Sequence, residues 1–314
     1  MSHNVAIGVD IGGTNIRAAV INGNGAVELK IKEATGAAPI EVVHKLVDSL
    51  YSKYSQRICG IGIAVAGIID RDEGVVVMSP NIKGITGRNL KSEIGSRHKT
   101  CIVVENDANA AAYGEKFAGA GRDFKNFVIL TLGTGIGSGI VINNRLLPVA
   151  AEAGHISINA NGQPCACGNV GCLESYASAT AIIGNAVLEI EKGCNTILRD
   201  YHNGNFYKID AEDIYKAALD GDPLSRTVVR EAGKNLGIGI AGLINLLSPD
   251  AVILTGGLLG AWNIYVEAAI HEASKRAIKE LYAKVKIIPS SLGDNAGIVG
   301  AAKLVFDECK MCVE

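Results

Sequence analysis

Short apolar runs separated by turn residues open the chain. Residues 4–9 (NVAIGV) and 15–21 (NIRAAVI) are two such runs, with a glycine pair between them. NGNG at 22–25 is a hairpin turn signal, and AVELKIKEA at 26–34 alternates apolar and polar positions. Three antiparallel strands are expected. Residues 39–56 space their apolar side chains at helical intervals. ICGIGIAVAGII at 58–69 and CIVVEN at 101–106 are continuous apolar runs, as in strands covered on both faces. DANAAAYGEKFAG at 107–119 is alanine-rich and reads as a helix with Asp107 at its start. The opening pattern then recurs. Residues 126–147 again read as strand, glycine turn, strand, and laying this copy over the first puts Thr131 on Asp10. AVILTGGLLG at 251–260 gives a further strand ending in paired glycines. Helices are expected at 177–192, 211–219, 223–247 and 263–283, and a turn with a closing helix at 292–306. The weak repeat predicts two similar domains with a cleft between them. The expected division is 1–118 with 300–314 against 119–299, and the polar, glycine-containing stretch 115–125 fits a hinge.

Composition narrows the class. Among 314 residues, 48% are apolar, 5% are aromatic and 38 are glycine, which suits an α/β protein with many tight strand–helix turns. The formal charge is −2 with no basic block, which argues against an electrostatic nucleic-acid face. The first ten residues carry no basic signal region, and the uncharged stretches at 235–249 and 251–266 fall short of the ~20 apolar residues a membrane span needs. A soluble cytoplasmic protein with no membrane or nucleic-acid partner is expected. Eight cysteines in such a chain argue against a disulfide framework. Cys59 and Cys101 then read as small core residues, Cys194 carries no pattern, and Cys309 and Cys312 read as two thiols one helical turn apart, with redox or metal chemistry the alternative.

Three stretches carry candidate chemistry. In GVDIGGTNIRAAV (8–20), Gly12 and Gly13 let backbone N–H groups approach an anion, and Thr14 adds a hydroxyl. Asp10 beside an anion makes sense when a cation such as Mg²⁺ stands between them. A plain Gly-Gly hairpin is the bland alternative, and the second copy, Gly133 to Gly137 with Thr134, weighs against it. Two such hairpins could grip a polyphosphate. In ENDANAAAYGE (105–115), a buried strand ends at the lip where α/β sheets bind ligands. Asp107 could act there as a general base on an alcohol and Asn106 could fix a neighbouring hydroxyl, or Asp107 could be an ordinary helix cap. In residues 152–175, His155, Cys165, Cys167 and Cys172 fit a closed, structural Cys₃His zinc site. The second nitrogen of His155 could face a ligand hydroxyl, and Glu152 and Glu174 flank the loop where each could bind a pair of hydroxyls.

Together these motifs resemble the ROK family of sugar kinases and related regulators. The matching segments are DIGGTNIR (10–17), ENDANAAAYGE (105–115), LGTGIGSGIV (132–141), EAGH (152–155), CACGNVGCLESYAS (165–178), LTGG (254–257) and LGDNAGIVGAA (292–302), in order along nearly the whole chain. The resemblance implies an actin-like, ribonuclease-H-like fold in two domains, with ATP and sugar meeting in the cleft, and transfer of the γ-phosphate to a hexose, usually at its 6-hydroxyl. It implies Asp107 as catalytic base and Asn81, Asn106, Glu152, His155 and Glu174 as sugar ligands. It implies His155, Cys165, Cys167 and Cys172 as zinc ligands. Gly12, Gly13, Thr14, Thr134 and Gly135 become phosphate contacts, with Asp10 on the metal and Gly256 and Gly257 on the adenosine side. The cysteine stretch looks most like glucokinases of the family. N-acetylmannosamine or N-acetylglucosamine kinase and then fructokinase follow. A sugar-responsive repressor is disfavoured because only nine residues precede Asp10, and a non-catalytic sugar-binding module because Asp107 is intact. A homodimer or homotetramer is implied by resemblance alone. The chain departs from the family at Val65-Ala66-Gly67, at the segment after Pro80-Asn81, and at Ala151. The first two bear on which sugar is preferred.

Overall fold

The computed structural model describes residues 5–309, so Cys312 lies outside the described residues. In chain order the regular elements begin β1 (Val5–Ile11), β2 (Asn15–Asn22), β3 (Val27–Ala34), α1 (Pro39–Tyr54) and β4 (Ile58–Val65). They continue with β5 (Ile68–Asp70), β6 (Val75–Met78), α2 (Leu90–His98), β7 (Cys101–Asn106) and α3 (Asp107–Ala118). The second half holds β8 (Phe127–Leu132), β9 (Ile136–Ile142), β10 (Arg145–Leu146), α4 (Glu174–Ala177), α5 (Ala179–Glu191), α6 (Ala211–Leu219) and α7 (Pro223–Leu247). It closes with β11 (Ala251–Thr255), α8 (Glu267–Arg276), α9 (Lys279–Tyr282), β12 (Lys286–Pro289) and α10 (Ala296–Glu308).

The two large sheets repeat one design. The first has strand order β3-β2-β1-β4-β7 and the second β10-β9-β8-β11-β12. Each therefore starts with an up-down-up meander and adds two strands beyond its first. β1 runs antiparallel to β2 with Asp10 opposite Arg17, and parallel to β4. A two-stranded hairpin, β5–β6, stands apart from both sheets. By internal contacts the chain forms one unit from residues 1–129, 139–151 and 290–314, and another from 130–138 and 152–289.

In the first unit the sheet is covered on both faces, and its residue sizes record how closely. Ile7, Val9, Ile61, Ile63 and Val65 meet α1 and α2 through Val43, Leu46, Leu50, Leu90 and Ile94. The opposite face is built from small residues because α10 lies almost on the backbone. A Cβ on Gly8 would stand 2.1 Å from the Ile298 carbonyl oxygen, and one on Gly62 would stand 2.0 Å from that of Ala301. That contrast of large and small faces is what ICGIGIAV encodes.

Several boundaries differ from expectation. The run 58–69 is two strands, broken where Gly67 takes φ +144 and the Ser79 hydroxyl donates to the Ala66 carbonyl at 2.6 Å. Helix 177–192 begins earlier and breaks at Ser178, whose side chain caps α5 by accepting from Ala181 N. Helix 263–283 becomes a wide turn, α8 and α9. The segment after α3 is tied down. Glu115, fully buried, accepts from Ala120 N, Ser290 Oγ and Leu292 N, and Lys116 donates to the Arg122 and Phe124 carbonyls.

The cysteine expectation is corrected. α10 ends above the start of β7, which sets the Cα atoms of Cys101 and Cys309 6.0 Å apart, and their sulfurs are bonded. Cys59, buried on the neighbouring β4, is disulfide-bonded too. Cys59 is a core residue as expected and Cys101 packs half-buried against the same cluster, yet neither is a free thiol. The sequence separation of 208 residues hides the Cys101–Cys309 pairing from any local pattern.

Candidate active site

In the first unit the β1–β2 turn is held open by its own backbone. Gly12 N donates to Asn15 O at 3.1 Å, and the Gly12 carbonyl accepts from the Thr35 hydroxyl at 2.6 Å. A Cβ on Gly13 would lie 2.9 Å from the backbone oxygen of Asn81, so the glycine turn and the Pro80-Asn81 segment are in contact. Asp10 leads into this turn, with Arg17 Nη1 donating to its Oδ2 at 3.1 Å and Arg17 Nη2 reaching Asp294 at 3.2 Å. Burial pushes the Asp10 carboxyl above the ordinary carboxylate value, against the pull of Arg17 and Lys30. A largely buried carboxylate with raised proton affinity is a group that a cation would relieve.

Asp107 is the first residue of α3 and is half-buried. Its Oδ1 accepts from Ala108 N at 2.9 Å. Asn106 caps the same helix, its Oδ1 accepting from Ala108 N and Asn109 N at 2.9 and 3.0 Å, while its Nδ2 donates to the Gly67 carbonyl at 2.9 Å. The cap and the candidate base are therefore adjacent residues. Gly297, in the first turn of α10, joins the two aspartates: a Cβ there would stand 3.7 Å from Asp10 Cγ and 3.9 Å from the Asp107 carbonyl. Asp10, Asp107, Asn81 and the glycine turn converge in one unit.

In the second unit the β8–β9 turn is braced from behind. Gly133 N donates to Gly135 O at 3.0 Å, and Thr180 Oγ1 donates to Thr134 O at 2.8 Å. Glu174 Oε2 accepts from Ile136 N at 2.7 Å, and a Cβ on Gly135 would lie 2.3 Å from that oxygen. Thr131, the counterpart of Asp10, accepts from Gly137 N at 3.1 Å. Glu152 precedes a single 3₁₀ turn whose last residue is His155, with His155 N donating to Glu152 O at 3.0 Å. Gly256 takes φ +105 with its Cα against the Leu132 carbonyl, where a Cβ would meet oxygen at 2.3 Å, while Gly257 faces open space.

The cysteine loop brings its four expected ligands together. The donor atoms of His155, Cys165, Cys167 and Cys172 all lie within 4.8 Å of one another. Cys165 Sγ is 3.7 Å from His155 Nδ1, and Cys167 Sγ is 3.7 Å from Cys172 Sγ. Tetrahedral zinc with bonds of about 2.3 Å to sulfur separates its ligands by roughly 3.8 Å, so the donor set fits zinc. Burial raises both thiols. At Cys165 the Cys167 backbone and its polar neighbours overcome this and bring the value to about 6, whereas at Cys172 the adjacent thiols drive it up to about 12. Gly168 and Gly171, at φ +91 and +74, make the tight loop possible.

Comparison with known proteins now gives this geometry a context. The ROK family model matches residues 6–308. The chain belongs to the ROK family. A glucokinase of Streptomyces coelicolor is 35% identical, over 96% of this chain and 97% of its own length. A solved ROK glucokinase of Streptomyces griseus, in complex with glucose and AMPPNP, is 34% identical with a TM-score of 0.84, covering 96% of this chain and 98% of that one. The xylose repressor of Bacillus subtilis is 31% identical over 96% of this chain and 77% of its own length. This ROK protein has the actin-like, ribonuclease-H-like two-domain kinase fold. None of its described helices is long and apolar enough to cross a membrane.

Some residues around the site were not singled out from the sequence. Arg17 and Asp294 frame Asp10, and Glu105 and Arg71 lie behind Asn106. Arg17 sits inside the first motif, directly opposite Asp10 in an antiparallel hairpin, so register could have found it. Asp294 lies within the LGDNAGIVGAA segment without being singled out there, and Arg71, distant in sequence, gave no signal.

Proposed function

We propose that this ROK protein transfers the γ-phosphoryl group of ATP to the 6-hydroxyl of a hexose, with glucose as its preferred acceptor. N-acetylmannosamine or N-acetylglucosamine, then fructose, are the alternatives. The observation that carries the reading is a half-buried Asp107 at the start of α3, in a chain 35% identical to a glucokinase over nearly its whole length. Phosphoryl transfer asks mainly for positioning and charge neutralisation. Asp107 accepts a hydrogen bond from the attacking hydroxyl, aims its oxygen and takes the proton as the bond to phosphorus forms. Asn81, Asn106, Glu152, His155 and Glu174 bind the remaining sugar hydroxyls. Backbone N–H groups of Gly12, Gly13 and Gly135, with the Thr14 and Thr134 hydroxyls, hold the phosphates, and Gly256 and Gly257 border the adenosine. Asp10 would hold magnesium, which supplies neutralising charge to the phosphates when bound. His155, Cys165, Cys167 and Cys172 would hold a structural zinc, which fixes the orientation of the His155 ring.

The test is an ADP-release assay over glucose, mannose, fructose, N-acetylmannosamine and N-acetylglucosamine. The expected result is the highest kcat/KM with glucose, and a fall of about 10²- to 10⁴-fold for Asp107→Asn. No sugar-dependent ADP release would overturn the kinase reading, and a fully active Asp107→Asn would overturn the assignment of the base.

A further inference from the structure

The residue before Asn106 is a buried carboxylate. Glu105 is 4% exposed at the end of β7. Its Oε1 accepts from Asn106 N at 2.9 Å and from Asn109 Nδ2 at 3.1 Å. Asn109 Nδ2 also reaches the Val149 carbonyl at 3.1 Å. One charged oxygen thus ties the last peptide of the strand to the first turn of the helix that begins at Asp107. The other oxygen, Oε2, has no hydrogen bond, and its charge is met by Arg71 Nε at 3.2 Å. Arg71 follows β5, and its Nη2 is paired with Glu308 in the last turn of α10. The β5–β6 hairpin is attached at a second point, where the Gly67 carbonyl accepts from Asn106 Nδ2 at 2.9 Å.

We propose that Arg71 is a positioning residue for phosphoryl transfer: by neutralising the buried Glu105, it holds the Asn106–Asp107 corner in the geometry the base requires. The inference rests on the reading of Asp107 as base. A buried charge that loses its partner moves toward water or takes up a proton. In the first state Glu105 lets go of Asn106 N and Asn109, in the second its neutral oxygen accepts from them more weakly, and the corner is held less firmly either way. Small misplacements of a base cost rate more than binding, because four of the five remaining sugar contacts, Asn81, Glu152, His155 and Glu174, lie on other elements. Glu308 ties this arrangement to α10, whose first turn meets Asp10 and Asp107.

The experiment measures kcat and both KM values in the full-length protein with ATP and the best sugar of the panel. Arg71→Met is expected to lower kcat by about 10- to 100-fold while each KM stays within about threefold. Adding Glu105→Gln in that background removes the stranded charge and keeps an amide oxygen for Asn106 N, so kcat should recover at least in part. Arg71→Lys should fall between wild type and Arg71→Met. Arg71→Met with wild-type kcat overturns the proposal, as does a double variant no faster than the single one. If Arg71→Met does not fold, Arg71→Lys carries the test: a fall in kcat at steady KM supports the proposal, and an unchanged kcat refutes it. Asp107→Asn in the same assay separates the two readings. An active Asp107→Asn defeats the base assignment, whereas an inactive Asp107→Asn beside a normal Arg71→Met defeats only the role of Arg71.

Discussion

Glycine-to-alanine substitution should have opposite signs at two helical positions of this protein. Gly300 in α10 lies against α3, where an ideal Cβ would stand 1.7 Å from the Ala110 carbonyl oxygen and 2.7 Å from Gly114 N. The contact is reciprocal, since a Cβ on Gly114 would stand 2.1 Å from the Ala296 carbonyl. An added methyl at Gly300 is roughly 1.5 Å short of an ordinary carbon–oxygen contact. The obstacle is backbone, so no rotamer relieves it, and the helices must separate. Overpacking of this kind costs about 1–3 kcal/mol or more, while alanine returns about 1 kcal/mol of helix propensity. Gly300→Ala should therefore lose about 2 kcal/mol, the clash being at the severe end. Gly242, exposed in the interior of α7, has nothing within 4 Å of its ideal Cβ. Gly242→Ala keeps the propensity gain alone and should add about 0.5–1 kcal/mol. Urea unfolding midpoints of the two variants, at unchanged slope, measure both effects. Gly300→Ala should also lower kcat, because the helix displaced is the one that begins at Asp107. A Gly300→Ala protein as stable as wild type would refute the close packing of α3 on α10.

Two further outcomes can be checked directly. Asp222, the buried N-cap of α7, accepts from Ser225 N, Ser225 Oγ, Thr196 Oγ1 and Ile197 N. Burial opposes its charge, but these hydrogen bonds prevail and hold the carboxyl below its ordinary value. A folded pKa below the unfolded one stabilises above the unfolded pKa and is lost as pH falls through the folded value. Asp222→Asn should therefore cost about 1–2 kcal/mol near neutral pH, and its gap from wild type should close below about pH 4, as thermal unfolding at several pH values would reveal. The purified protein should carry about one zinc per chain by elemental analysis, and Cys167→Ser or a strong chelator should remove it and lower the melting temperature. Metal-free protein of unchanged stability would sink the zinc assignment.

What the sequence disclosed followed how far each contact reaches along the chain. The meanders were legible because alternation and turn residues act over neighbouring positions, and the zinc set because its four ligands occupy one loop. Ser178 could have been read as a cap within the helical stretch, since a serine before an apolar run is a start signal. The segment 70–98 gave Asn81 by resemblance but no strand or helix, and the structure shows why: α2 buries only Leu90 and Ile94, and Asn89 starts it by capping Ser92 N. The pairs Arg71–Glu105 and Cys101–Cys309 depend on the tertiary fold alone. No local pattern encodes which arginine reaches a buried glutamate, or which thiol a closing helix will bring above a strand.

The candidate ligands also have structural duties, and this governs how their variants should be interpreted. Asn106 Oδ1 accepts from two helix N–H groups, and its Nδ2 donates to the Gly67 carbonyl. Glu174 Oε2 accepts from Ile136 N, directly behind Gly135. An alanine at either position would take the side-chain acceptor from a backbone N–H, Asn109 N or Ile136 N, at about 1–3 kcal/mol where burial is complete. Lost activity in such a variant would not separate a sugar contact from a loosened turn. Asp107 accepts from its own helix turn, at Ala108 N, and asparagine keeps an oxygen at the same place. The isosteric change therefore removes the proton acceptor while leaving the helix start intact, which makes Asp107→Asn a cleaner probe of the chemistry than any substitution at Asn106 or Glu174.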